Sequence, residues 1–208
     1  MQSATSSTPR LTVQSSTEPT LDRHQHIREV ALNLFVSEGY SKVSLRQLGK
    51  EIGLHAGSLY NHLHSKEELL FELISEHLES LLADVRRRIA RQPDVTARLT
   101  TFIESLIDSH VHQRSLSLLT SLELRSLNGP NREAVNSLLK AYRDCLAEII
   151  REGMKVGHFR PQPLPVAVQG ILSMMSGIAF WFDDQRDLNE EQLKRHFIAM
   201  VLGALRTA

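Results

Sequence analysis

Between Ser41 and Lys66 the chain reads SKVSLRQLGKEIGLHAGSLYNHLHSK, and this stretch leaves few folds open. Ser44, with Gln47 three residues on, makes an S-x-x-Q capping box that opens a helix. Leu45, Leu48 and Ile52 then recur at helical spacing and give one apolar stripe. Gly53 follows at once, and glycine closes a helix in the left-handed region without a Cβ clash. In the next segment Leu59 and Leu63 stand four apart and share one face of a second helix beginning near Ala56. Gly57, Ser58, Tyr60, Asn61 and His62 are left on its other faces. Two short helices joined by a tight turn are the arrangement that lays the second helix in the DNA major groove. Gly57 allows close backbone approach, Tyr60 and His62 reach phosphates, and Asn61 pairs with a base edge. Lys42, Ser44, Arg46, His55, Ala56 and Lys66 flank that helix and complete the expected DNA-binding set.

The rest of the chain repeats the helical period. Residues 1–20, rich in Ser and Thr with two prolines, are expected to be a disordered arm. Residues 21–38 carry Ile27, Val30, Ala31, Leu34 and Phe35 on one face, with Gly39 as the stop. Ser65 and Glu68 form a second capping box, opening a helix to about Gln92 whose 26 or so residues would make a rod of about 40 Å. Further apolar stripes predict helices over 95–112, 115–127, 130–156, 166–182 and 189–205, the last capped by Asn189. No strand alternation and no internal repeat is found. The expected fold is all-α, with about nine helices. Its domains are a three-helix helix–turn–helix unit over 21–66 and a helical domain over 67–208.

Composition narrows the function. Cys145 is the single cysteine, so no disulfide forms within the chain and no cysteine-built zinc site is available. Cytoplasmic residence is the matching expectation. Cys145 sits in a periodic apolar helix and reads as a core thiol, and no G-x-S-x-G, P-loop or dinucleotide fingerprint is present, so an enzyme is not expected. The apolar run Val166–Phe182, interrupted by Gln169, Ser173 and Ser176, falls short of a membrane span and reads as an interface helix. The 24 basic and 24 acidic residues cancel, so nonspecific attraction to DNA is expected to be modest. His24, His26, His55, His62 and His64 crowd the DNA-binding segment, and protonation of such histidines below about pH 6.5 would raise affinity. His62-x-His64 and His110-x-His112 also leave open an alternative, a metal- or pH-responsive regulator. Alternate positions on a helix diverge by about 200°, however, so neither pair makes a metal site by itself. No metal and no cofactor is expected.

From Arg23 to Leu70 the sequence resembles the TetR family of transcription regulators. The motifs that carry the likeness are F-x-x-x-G-Y in IREVALNLFVSEGY, the G-L turn, G-x-L-Y-x-H and S-K-E-x-L. Gly49 stands where the family usually has Ala, Leu63 where it has Phe, and His55 where a small hydroxyl residue is common. The resemblance implies a repressor that binds a palindromic operator in double-stranded DNA as a homodimer and leaves it when a small-molecule effector enters the second domain. The seam would be a four-helix bundle built from the last two helices of each chain, with Gly170, Ser173, Gly177, Phe197, Val201 and Leu205 at the contact. The effector would lie among Phe102, Leu106, His110, Leu122, Arg125, Tyr142, Leu146, Met174, Met175, Ile178 and Trp181. The stretches LELRSL and GIAFWFDDQRDLNEEQL look like relatives that sense acyl-CoA thioesters or lipid-like acids, with Arg125 placed to pair with a carboxylate or phosphate.

Overall fold

The computed structural model describes residues 18–53, 63–182 and 188–206. Its first helix, α1, spans Glu18–Glu38, three residues earlier than the sequence pattern suggests; side chains are described from Arg23 onward. Ile27, Ala31 and Phe35 are fully enclosed on one face. Gly39, at φ 88°, turns the chain and lets Tyr40 pack edge-on to Phe35, ring centroids 5.1 Å apart. Helix α2 spans Leu45–Ile52 and ends on Gly53 at φ 73°, as the left-handed stop requires. The Ser44 hydroxyl accepts the Gln47 N–H, but the Gln47 side chain donates to the Glu38 carboxylate at 2.9 Å instead of returning to Ser44. The cap is therefore half a box, and its second half ties α2 to the end of α1.

Ser65 accepts the Glu68 N–H and starts α3, Lys66–Ile89, about 36 Å of unbroken helix. Helix α4, Val95–His112, is capped by Asp94, whose carboxylate accepts the Ala97 N–H at 2.8 Å. Helix α5 spans Arg114–Glu123 and tightens into a 3₁₀ turn at Leu124–Ser126, so the helix expected to reach Leu127 is shorter. Helix α6, Gly129–Lys155, carries Pro130 in its first turn. After Gly157 (φ 80°) the chain doubles back, and the N–H groups of His158 and Phe159 both donate to the Gly153 carbonyl. This lays the Phe159 ring where a Cβ on Gly153 would be, within 2.0 Å.

The apolar segment expected as one helix is two: α7, Leu164–Ser176, and a single turn, α8, Ile178–Trp181. Ser176-Gly177 is a weak point of the kind at which helices break. Arg114 Nε donates to the carbonyl of Ala179 at 2.7 Å and holds the turn on the far side of the break. By length and composition Leu164–Trp181 is long and apolar enough to cross a membrane, contrary to the sequence expectation, but it is broken at Gly177 and packs on α4, α6 and α9. Helix α9, Glu190–Leu205, opens with a reciprocal capping box of Asn189 and Gln192. Among the described residues there is no strand.

Two apolar cores result. The larger is built from the C-terminal part of α3 with α4, α6, α7, α8 and α9. The smaller joins α1, α2, Leu63 and the first turns of α3 to Leu119 of α5, Leu127 and Val135 of α6. The second core thus crosses the boundary expected at residue 66.

Candidate functional site

The expected DNA-binding residues His55, Ala56, Gly57, Ser58, Tyr60, Asn61 and His62 lie outside the described residues. Those on either side are placed. Lys42, Ser44 and Arg46 are exposed at the turn and first helical residues of α2. Lys66 is different. Its Nζ donates to the carbonyls of Tyr40 and Val43, both at 2.8 Å, and lies 4.1 Å from the Tyr40 ring centroid. Two of its three N–H donors are therefore committed to the main chain of the α1–α2 turn, and burial lowers its pKa, with nearby Glu123 opposing. Lys66 is first of all a strut of the head. His24 lies 3.7 Å from Glu72, and Arg28 pairs with Glu72 and Glu76, so both are turned toward α3.

The head is clasped to the larger domain by carboxylates. Glu123, at the end of α5, accepts the Tyr40 N–H at 3.1 Å and the Ser126 hydroxyl at 2.8 Å. Glu67, in the first turn of α3, accepts the Asn128 N–H at 3.1 Å and the Asn131 amide at 2.9 and 3.0 Å. Burial raises the Tyr40 phenol pKa, and the Glu67 and Glu123 charges add to that.

On the other side of α5 lies a cavity of about 250 Å³, bounded by α3, α4, α5, α6 and α7. Leu78, Leu81, Leu106, Leu139 and Leu172 give it apolar walls. Ser117, Thr120 and Ser121 present the α5 face, and Arg143 and Gln169 stand at exposed positions on its edge. His77, Ser109 and Tyr142 are buried in its lining, and His110 is partly buried beside them. The Nδ1 atoms of both histidines, Ser109 Oγ and the Tyr142 hydroxyl have no hydrogen-bond partner among the described residues. Burial pushes the His110 pKa down to about 4, with His77 adding to the effect, and burial also lowers His77. Both imidazoles are accordingly neutral near pH 7. Burial raises the Tyr142 phenol pKa well above its usual value, so it stays a donor.

Of the pocket residues read from the sequence, Leu106, His110 and Tyr142 meet at this cavity. Phe102, Leu146, Met175 and Ile178 are instead packed in the core, Phe102 against the Tyr142 ring at 4.8 Å. Leu122, Arg125, Met174 and Trp181 are exposed and do not line it. His77 was legible and missed: it stands four residues after Leu73 and three after Ile74, in the middle of an apolar stripe. Ser173, expected at a seam, lines the cavity edge and accepts from Gln169 at 3.0 Å.

Phe197, Val201 and Leu205 point into the chain's own core. The exposed large apolar side chains of the last helices are instead Val166, Met174, Phe180, Trp181 and Met200, with Gly170 and Gly203 exposed and open space beside both glycines. A larger groove of about 560 Å³ beside Cys145 is edged by charged side chains, including the Arg98–Glu152 pair at 2.7 Å. None of the unpartnered buried polar atoms lies in it. Asp108, His112 and Glu190 bring donor atoms within 4.8 Å of one another, but the Lys194 amine already bridges Asp108 and Glu190, and Arg88 holds Asp108 from the other side. The positive charge that a metal would bring is supplied there by side chains.

Residues 27–73 match the family described as bacterial regulatory proteins, tetR family, and residues 92–205 match the tetracyclin repressor-like C-terminal domain. The HTH-type transcriptional repressor KstR2 of Mycolicibacterium smegmatis is 23% identical over 185 residues, covering 88% of this chain and 90% of that protein. The structure of the ketosteroid transcriptional regulator KstR2 of Mycobacterium tuberculosis superposes with a TM-score of 0.83 at 22% identity, over 96% of this chain and 100% of that one. AibR in complex with isovaleryl coenzyme A and operator DNA superposes with a TM-score of 0.76 at 24% identity, over 86% and 97%. A helix–turn–helix head, a helical body and a match over most of the chain's length converge: this chain belongs to the TetR family of transcription regulators.

Proposed function

We propose that the protein is a repressor that binds a palindromic operator as a homodimer and is released by a small, largely apolar effector taken up in the 250 Å³ cavity. The observation that carries this reading is the double role of α5. Ser117, Thr120 and Ser121 line the cavity, while Leu119 of the same helix is fully buried in the head's core and Glu123 holds the Tyr40 main chain. An effector that moves α5 therefore acts on the head without any longer chain of contacts, which is the differential interaction a two-state switch needs.

The homodimer is supported by the open apolar face of α7 to α9 around Val166, Met174, Trp181 and Met200. Its glycines allow close approach, and a two-fold dimer doubles the base contacts available to a single head. AibR, whose structure holds isovaleryl coenzyme A and operator DNA, supports an effector and an operator in a protein of this shape. The test is retention of the protein's own promoter region in a gel shift, with footprinting for an inverted repeat. Tyr60→Ala with Asn61→Ala should abolish retention while size-exclusion light scattering still reports a dimer. Unchanged retention would overturn the assignment of the reading face, and a monomer at micromolar concentration would overturn the seam.

A further inference from the structure

A cavity meant for a purely hydrocarbon ligand would be lined by carbon. This one is not. The Tyr142 hydroxyl, Ser109 Oγ and the Nδ1 atoms of His77 and His110 are all buried, all without a partner among the described residues, and all belong to side chains that line the same space. Leaving a buried polar group unpaired costs about 1–3 kcal/mol, so several together in one place are a standing demand for something that can bond to them. An alkyl chain entering here would keep every one of those groups unsatisfied. Among the described residues no lining side chain carries a carboxylate, and Arg143, exposed on the edge, is the one fixed positive charge. An anion seated against Tyr142, His77 and His110 would meet neutral groups there, with Arg143 left at the edge, which is unfavourable in an environment that holds His110 neutral.

We infer that the effector is an uncharged hydrophobe carrying an oxygen acceptor, a ketone or an equivalent carbonyl, and that it enters with this oxygen first, toward Tyr142, His77 and His110. This rests on the cavity being the effector site. The Tyr142 O–H and the His110 Nδ1–H donate to the carbonyl, while His77, whose ring also bonds to Gln113, lies beside them and Leu78, Leu81 and Leu106 enclose the carbon body. The space corresponds to roughly eight water molecules, so the enclosed part is small.

The test is titration calorimetry of the full-length protein with benzylacetone, butylbenzene and phenylbutyrate, which share a phenyl-alkyl body and differ at the far end. Benzylacetone should bind about tenfold more tightly than butylbenzene, the worth of one good hydrogen bond. Tyr142→Phe should erase most of that preference while melting no lower than the parent, because it removes an orphaned buried hydroxyl. Butylbenzene binding as tightly as benzylacetone would leave the cavity as an effector site but overturn the carbonyl head. Phenylbutyrate binding more tightly than benzylacetone would overturn the uncharged class. Binding of none of the three would remove both the head and the site. A Tyr142→Phe protein that melts lower and keeps the full preference would show that the hydroxyl serves the fold and not the ligand.

Discussion

Glu123 accepts a hydrogen bond from the main-chain N–H of Tyr40, a residue 83 positions earlier, at 3.1 Å. Tyr40 ends the turn after α1, and Glu123 ends the helix that lines the cavity. Glu123→Ala should leave a partly buried N–H unpaired and lower the unfolding free energy by about 1–2 kcal/mol in a urea titration. It should also shrink the factor by which effector reduces operator affinity, because α5 loses one of its holds on the head. Full stability together with full effector response would show the bond to be incidental.

Lys66→Met should cost about 2 kcal/mol of stability, since its ammonium serves the Tyr40 and Val43 carbonyls and covers the Tyr40 ring. Lys66→Arg should recover only part of this. A planar guanidinium cannot place two donors where a compact ammonium does. Urea midpoints of the three proteins check it.

Gly153→Ala should destabilise by about 1–3 kcal/mol, because the new methyl would meet the Phe159 ring at 2.0 Å. Phe159→Leu in the same chain should relieve much of that clash. A double-mutant cycle with a clearly non-additive sum is the expected result.

Stability should fall as the pH drops from about 6.5 to about 4. Burial holds the folded His110 near 4, below the ordinary histidine value, so in this window the unfolded chain binds the proton that the folded one refuses. The sign is set by that order: stability rises with pH through the window and levels off above it. The loss attributable to His110 should be at most about 3 kcal/mol, and His110→Leu should remove that part in thermal melts across the same range and leave the part due to His77, which burial also lowers.

The elements of the fold were legible wherever one apolar face met one clear stop. Gly39, Gly53 and Gly157, all at positive φ, end helices where the sequence placed their ends. Two kinds of error have physical causes. The capping box at Ser44 competes with Glu38, and a glutamine side chain follows the charge, which no local motif reports. The break at Gly177 depends on Arg114, 65 residues away, holding the Ala179 carbonyl. The cavity was harder to read. Large apolar residues such as Phe102, Leu146 and Ile178 fill space and do not line it. The useful signal was small and polar: a histidine within the stripe of α3 and the serines of α5. Phe197, Val201 and Leu205 of α9 fill the chain's own core for a related reason, because a helix with two apolar faces does not say in sequence which one turns inward.

Helix α3 runs through both cores, with Leu69 to Leu78 in the smaller and Leu81 to Val85 in the larger. Neither the head nor the larger helical domain can then lose its order alone, since the same uninterrupted rod would have to be half melted. Calorimetry should record one endotherm for the whole protomer, and an effector that tightens the lower half of the rod should protect amide hydrogens in the upper half from exchange.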